Sequence, residues 1–270
     1  MIPVGFEYVR ATSVDEAIAL LVEHGEEASL LAGGHSLLPV MKLRLAAPEV
    51  LIDIGRLPEL AYVRLDGDDI AIGGGTRHRA LESAQLLADE CPLLPAVART
   101  VGDPQVRHRG TIGGSLAHGD PASDLPAAVL ALGGDVVLRG PRGDRTVPIT
   151  TFYTGVFSTV REPDELLAEV RVPRTGAAGW AYEKFTRRAN DWAIVAVAVV
   201  DGRVGLVNMG PTPLRASATE AALADGASIE EAAALADRGT DPVSDVPATA
   251  EFRRHLARVL TKRALTTAAG

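Results

Sequence analysis

Two glycine-rich stretches are the places in this 270-residue chain where residue type and spacing could do chemistry. The first is Leu31-Ala32-Gly33-Gly34-His35-Ser36. The second is Gly110-Thr111-Ile112-Gly113-Gly114-Ser115-Leu116-Ala117-His118-Gly119-Asp120. Paired glycines permit positive φ and let main-chain N–H groups converge on an anion. Ser36 and Thr111 add hydroxyl donors, so each stretch suits a phosphate group. Lying about eighty residues apart, the two could hold the phosphates of a dinucleotide from both sides. Either pair alone more often marks a tight turn. Neither has the Gly-x-Gly-x-x-Gly spacing of a Rossmann loop or the P-loop ending Gly-Lys-Ser/Thr, and Gly73-Gly74-Gly75 fails too, with His78 at the third required glycine.

Composition removes several other chemistries. The single cysteine, Cys91, excludes an intrachain disulfide, a thiolate zinc site and an iron–sulfur cluster held by this chain alone. A net charge of −8, with no basic run beyond pairs such as Arg187-Arg188 and Arg253-Arg254, argues against nucleic acid. The fully apolar run Ala193 to Val200 is far short of the ~20 residues of a membrane span. Met1 to Glu7 has no basic region leading into an apolar stretch, so the expectation is a soluble, cytoplasmic protein without a signal peptide. Arg142-Gly143-Asp144 matches an adhesion tripeptide, but in such a chain it reads as a turn.

The elements that must position the glycine stretches are legible from period and punctuation. Ser13 and Glu16 form a capping-box pattern that opens a helix through about Val22, with Gly25 placed to end it. A strand at Leu30-Leu31 runs straight into the first stretch, and another is expected at Val50 to Ile54. Asp66-Gly67-Asp68-Asp69 joins strands 63–65 and 70–72, and helices are expected at about 80–88 and 93–101. The second stretch leads into a helix from about Ser123 to Leu132. A hairpin follows, with strands 136–138 and 146–149. Gly176-Ala177-Ala178-Gly179 reads as a domain junction. Beyond it, strands 180–186, 192–200 and 204–209 precede helices 215–224 and 229–236 and a C-terminal helix from about Thr249. Phe252, Leu256, Val259 and Leu260 are its expected buried stripe. Strands and helices without regular alternation indicate an α+β fold.

Several ordered segments resemble one family. Ala32-Gly33-Gly34-His35-Ser36 followed by Leu37-Leu38-Pro39-Val40-Met41-Lys42 is similar to the first FAD-binding motif of the molybdenum hydroxylase flavoproteins, of carbon monoxide dehydrogenase and xanthine dehydrogenase type. Thr111-Ile112-Gly113-Gly114 with Asp120-Pro121-Ala122-Ser123-Asp124 resembles the second. Asp103-Pro104-Gln105-Val106-Arg107, Tyr182-Glu183-Lys184-Phe185 with Arg187-Arg188, and Asp191-Trp192-Ala193 match further family text. The similarity covers almost the whole chain and is weakest after about Thr212.

The resemblance implies a two-part FAD-binding domain of the vanillyl-alcohol-oxidase/PCMH type at 1–176, with subdomains of about 1–55 and 56–176. A smaller α+β domain with a three-stranded antiparallel sheet would occupy 177–270. It implies that Ala32, Gly33, Gly34, His35 and Ser36, with Thr111, Ile112, Gly113, Gly114 and Ser115, wrap the FAD pyrophosphate. Asp124 would bind FAD hydroxyls; the plainer role of its position is a helix N-cap, and the two are compatible. Leu167 and Lys184 would line the flavin site, and Trp192 would stand where relatives often carry Tyr beside the isoalloxazine ring. Ser115 stands where many relatives have Asn. His35 and His118 lack a second ligand at fixed spacing, so no metal and no covalent flavin is expected. The implied role is non-covalent FAD binding in an electron-transfer subunit. Molybdopterin and 2Fe-2S clusters would lie in large and small partner subunits, in a dimer of heterotrimers. FAD accepts electrons singly from clusters and releases them as a pair to NAD⁺, a quinone or another acceptor. The alternatives are a free-standing flavin oxidoreductase, such as a sugar-nucleotide reductase, and a non-catalytic module whose glycine stretches are turns.

Overall fold

The computed structural model describes residues 2–270. The chain opens with β1 (Glu7–Arg10), α1 (Val14–His24), β2 (Ala28–Leu31), α2 (Leu37–Lys42) and β3 (Val50–Asp53). The three strands form a parallel sheet in the order β1-β3-β2. Val14, Ala17, Ile18 and Leu21, at the expected helical spacing, are buried and share a core with Ile52 and Ile54. Ser13 caps α1 by accepting from the Glu16 amide, and Gly25 ends it at φ 53°. Only half of the capping box forms, because the Glu16 carboxylate accepts instead from the amide and hydroxyl of Thr12. Sequence reading missed β1, a mostly exposed strand with no apolar face to betray it.

A second, antiparallel sheet has the order β4-β5-β10-β6-β7. Its strands are β4 (Val63–Asp66), β5 (Asp69–Gly73), β6 (Asp135–Gly140), β7 (Gly143–Pro148) and β10 (Leu166–Pro173). Both expected hairpins are present. In the second, Arg142 pairs with Asp164 and Asp144 with Arg139, so the adhesion-like tripeptide is a tied-down turn. Between β5 and β6 run α3 (His78–Ser83), α4 (Gln85–Glu90), α5 (Leu93–Arg99), α6 (Pro104–Arg109), α7 (Ile112–His118) and α8 (Asp124–Leu132). The helix expected at 80–88 is two helices, because Ala84 takes an extended ψ of 112°. After β7 come α9 (Ile149–Phe152) and a small hairpin of β8 (Tyr153–Gly155) and β9 (Ser158–Thr159).

The last part holds β11 (Trp180–Phe185), β12 (Val195–Val200), β13 (Arg203–Val207) and β14 (Leu214–Arg215), with α10 (Ser217–Ala224), α11 (Ile229–Ala233) and α12 (Ala250–Ala268). The expected three-stranded sheet gains β14 as a short fourth strand. Asp201 and Gly202, both at positive φ, make the tight turn between β12 and β13. α12 starts where expected, with Thr249 as its N-cap, but its buried face is rotated. Leu256 and Leu260 are buried, whereas Phe252 is 41% exposed and Arg253 is 1% exposed. Arg253 can be buried because its guanidinium donates to the carbonyls of Val243 and Ile194 and to Asp245.

α8 is the inner layer between the second and third sheets. Every residue in it is buried, and Val129 shares a core with Val170 of β10 and Ala198 of β12. Each fully buried Leu or Val there contributes about 1.5–3 kcal/mol. Contact with the third sheet is tight: a Cβ on Gly205 would lie 2.2 Å from the Ala127 carbonyl oxygen.

Candidate functional site

A cavity of about 820 Å³ opens among β2, α2, α7, α8 and the loop before β12. All the site residues expected from sequence line it except Ile112. The Ile112 side chain is in the core, and its amide donates to the Thr76 carbonyl at 3.0 Å.

The two glycine stretches differ in build. Gly34 has φ 75°, as expected for a turn that bares its amides. Among the described residues, the amides of Gly34, His35 and Ser36 have no protein acceptor. Gly33 serves close approach instead: a Cβ there would lie 2.3 Å from the Arg109 carbonyl oxygen.

The second stretch is not a loop with positive φ but the first turn of α7. Thr111 is its N-cap, and the Thr111 hydroxyl accepts from the Gly114 amide at 3.1 Å. The Gly113 amide is held by the Gly74 carbonyl at 2.9 Å and the Ser115 amide by the Thr111 carbonyl at 3.0 Å. These amides are therefore not a free nest. What the turn offers is a side-chain-free position at Gly114, where a Cβ would lie 2.7 Å from the capping Thr111 Oγ1 and meet nothing else within 4 Å, and the Ser115 hydroxyl.

Asp124 begins α8, but Ser123 holds the N-cap position, so the capping alternative for Asp124 is not what the helix shows. The Asp124 carboxylate, 5% exposed, accepts from Tyr182 Oη at 2.6 Å and Lys184 Nζ at 2.7 Å. Lys184 also donates to the Thr100 carbonyl at 3.0 Å, which joins α8, β11 and the end of α5 at one point. Burial pushes the Asp124 carboxyl up, against the pull of the Lys184 ammonium and the Tyr182 hydroxyl. Trp192, expected within a strand, lies in the loop before β12 at the cavity rim and is 60% exposed. That loop is pinned from behind, as Asn208 Nδ2 donates to the carbonyls of Ala193 and Ile194 at 2.9 and 3.3 Å.

Three residues carry no role in the sequence reading: His78 and Arg161, which line the cavity, and Tyr182, which stands behind it on Asp124. His78 is 3% exposed, with Nε2 3.0 Å from Ser115 Oγ, and burial pushes its imidazole down to about 4. Its position after Gly73-Gly74-Gly75 gave no sign of this, because the contact spans two helices. Arg161 lines the cavity and donates to the carbonyls of Glu162 and Glu165, with no carboxylate within ion-pair distance among the described residues. A lone loop arginine has no pattern to announce it. Tyr182 stood in the quoted text, and its alternation with Lys184 on β11 is a signal that would have paired them. His118 also lines the cavity and packs against Phe157 in a tilted arrangement, ring centroids 5.0 Å apart. Among the described residues no cluster of His, Cys, Asp and Glu could hold a metal ion, and no helix is long and apolar enough to cross a membrane.

Comparison with known proteins places these features in one family. Residues 4–175 match the FAD-binding domain in molybdopterin dehydrogenase, and 180–268 match the C-terminal domain of carbon monoxide dehydrogenase flavoprotein. The carbon monoxide dehydrogenase medium chain of Hydrogenophaga pseudoflava is 44% identical, over 99% of this chain and 98% of that one. The medium chain of Afipia carboxidovorans is 41% identical, over 98% and 97%. The solved carbon monoxide dehydrogenase from Hydrogenophaga pseudoflava that lacks the Mo-pyranopterin moiety of the molybdenum cofactor superimposes with a TM-score of 0.96 at 46% identity, covering 100% of this chain and 99% of that one. The chain belongs to the family of FAD-binding medium subunits of molybdenum hydroxylases of the carbon monoxide dehydrogenase type, and is a subunit of an oxidoreductase.

Proposed function

We propose that the cavity holds one FAD non-covalently and that the chain relays electrons from an iron–sulfur partner to an external acceptor. The observation that carries this reading is the convergence on one cavity of residues 32–36, 111, 113–115, 124, 167, 184 and 192, which lie far apart in sequence. The fit is good on three counts. The volume falls within the roughly 300–1,000 Å³ of ligand pockets. The bare amides of Gly34 to Ser36 suit an anionic phosphate. The missing side chain at Gly114 keeps backbone open where a second phosphate contact would form.

In this reading Ala32 to Ser36, with Thr111 and Gly113 to Ser115, embrace the pyrophosphate, while Ile112 anchors the turn in the core. Asp124 receives sugar hydroxyls while Lys184 keeps it charged. Leu167 and Trp192 bound the ring system, and the Trp192 ring excludes water from one side. FAD, when bound, supplies the exchange between single-electron and paired-electron transfer. A domain division of 1–176 (subdomains about 1–55 and 56–176) and 177–270 goes with this assignment. So do a cytoplasmic location, a large molybdopterin subunit, a small 2Fe-2S subunit and a dimer of heterotrimers. The substrate is then selected in the large subunit.

The test is co-expression with the two partner genes, followed by size-exclusion chromatography with metal and flavin analysis. The expected outcome is a complex with one flavin per medium chain, released into the supernatant by acid. Flavin pelleting with the denatured chain refutes non-covalent attachment. Substrate turnover by the FAD-loaded chain alone refutes the relay and restores the free-standing oxidoreductase.

A further inference from the structure

We infer that His78 is a positioning residue that fixes Ser115 as a hydrogen-bond donor toward an anionic oxygen of the bound dinucleotide, an inference that rests on the FAD reading of the cavity. His78 opens α3, and its amide donates to the Gly110 carbonyl at 2.9 Å. The ring packs against Gly110 so closely that a Cβ on that glycine would lie 2.8 Å from Cε1 and Nδ1. The imidazole therefore has little freedom to turn. Its Nε2 stands 3.0 Å from Ser115 Oγ, and its Nδ1 has no hydrogen-bond partner among the described residues. Both residues line the cavity.

The orphaned nitrogen decides the direction of the bond. With the proton on Nδ1, a buried N–H would have no acceptor, and Ser115 would spend its only proton on Nε2. With the proton on Nε2, only an acceptor is unmet, and Nε2 donates to Ser115 Oγ. Orphaned buried N–H groups are rarer in native proteins than under-used acceptors, so the Nε2–H form is the stable one. The ring stays neutral, because burial above all, and then His35, Arg107 and Arg77, oppose protonation; the nearby Thr111 carbonyl favours it but stands outside hydrogen-bond geometry to Nδ1. Ser115 Oγ then accepts from the imidazole and keeps its proton for the cavity. A hydroxyl that would otherwise rotate among partners becomes an oriented donor beside Gly114, where the amides of the α7 turn are already committed.

The test has two arms. In the full-length wild-type chain, long-range proton–nitrogen correlation of the labelled imidazoles should show His78 neutral and protonated on Nε2 at pH 7. A proton on Nδ1, or a charged ring, overturns the inference. In the second arm, FAD affinity is measured for Ser115→Ala, His78→Phe and the double variant. Each single change should weaken binding about tenfold, and the double should be no weaker than either single. His78→Gln, whose amide can donate from a similar place, should recover most of the loss. Unchanged affinity in His78→Phe, or fully additive losses, overturns the inference and leaves the FAD reading standing. A wild-type chain that binds no FAD overturns both. Should His78→Phe fail to fold, the wild-type tautomer and the Gln variant decide.

Discussion

Gly113 of α7 rests against Gly74 with no space for a side chain: a Cβ on Gly113 would lie 2.6 Å from the Gly74 carbonyl oxygen and 2.7 Å from its Cα. Gly74 is equally confined on its other side, where a Cβ would lie 2.2 Å from the Leu167 carbonyl oxygen. Backbone thus stacks on backbone through three segments, and this places the start of α7 at the cavity wall. The neighbouring glycine faces the other way. Gly113→Ala should therefore destabilise the fold by about 1–3 kcal/mol or more, as overpacking does. Gly114→Val, whose Cβ would lie 2.7 Å from the capping hydroxyl of Thr111, should displace that cap at a cost of about 1 kcal/mol and leave a folded chain that no longer holds FAD. Thermal melting and flavin content separate the two, and normal flavin content in the valine variant would show that the cavity wall there is not used.

The depressed imidazole of His78 sets a pH dependence. A histidine whose folded pKa lies near 4, against an ordinary 6.5, contributes stability that is present above 6.5 and lost as pH falls toward 4. The full span corresponds to about 3 kcal/mol. Urea titrations of wild type and His78→Gln across this window should converge toward acid pH. Parallel stability curves would show that His78 does not titrate as described.

Asp124 has the opposite sign. Its raised carboxyl pKa means that the folded state binds the proton more readily, so stability falls as pH rises above the ordinary value of 3.8 toward the folded-state value. Asp124→Asn should remove that slope and keep the Tyr182 contact. Lys184→Met, which strands the carboxylate 5% exposed, should cost about 3–5 kcal/mol at neutral pH. Chemical denaturation at pH 5 and pH 8 measures both, and a Lys184→Met chain as stable as wild type at pH 8 contradicts the pairing.

Trp192, 60% exposed, stabilises little in the apo chain. Trp192→Ala should leave the melting temperature within a degree or two and weaken FAD roughly tenfold, while Trp192→Tyr should retain most of the affinity. Fluorescence titration with FAD reads the difference. Equal affinities for all three would remove Trp192 from the site.

Arg253→Met should cost about 1–3 kcal/mol, because the Ile194 carbonyl is left with only the longer Asn208 contact, the Val243 carbonyl loses its donor and the partly exposed Asp245 is rehydrated. Since Ile194 closes the Trp192 loop, flavin dissociation should also accelerate. A stopped-flow dissociation rate equal to wild type would confine Arg253 to stability.

The glycine stretches, Asp124, Lys184 and Trp192 were legible because each sits in a segment whose text is distinctive. The backbone state of the second stretch was not, since Gly-Gly favours turns locally and only the Thr111 cap and the packing on Gly74 make it helical. β10 escaped because Glu169 interrupts its apolar run. That charge is satisfied by Arg171 on the same strand and by Tyr62 and Arg64, more than a hundred residues away, which sequence order does not bring to it. The rotated face of α12 had the same cause. Arg253 reads as a surface residue until its three acceptors are assembled, and Phe252 is left outside, edge-to-face with Phe185 and stacked with His255.

The cavity wall draws on all three sheets: Ala32 follows the first, Leu167 belongs to the second and Lys184 to the third. A ligand seated there acts as a keystone. Its binding energy is shared by cores that could otherwise loosen separately, and at a hundredfold excess over Kd it adds about 2.7 kcal/mol to every opening that breaches the cavity. An element that could open alone in the empty chain must then give up the ligand to open in the loaded one.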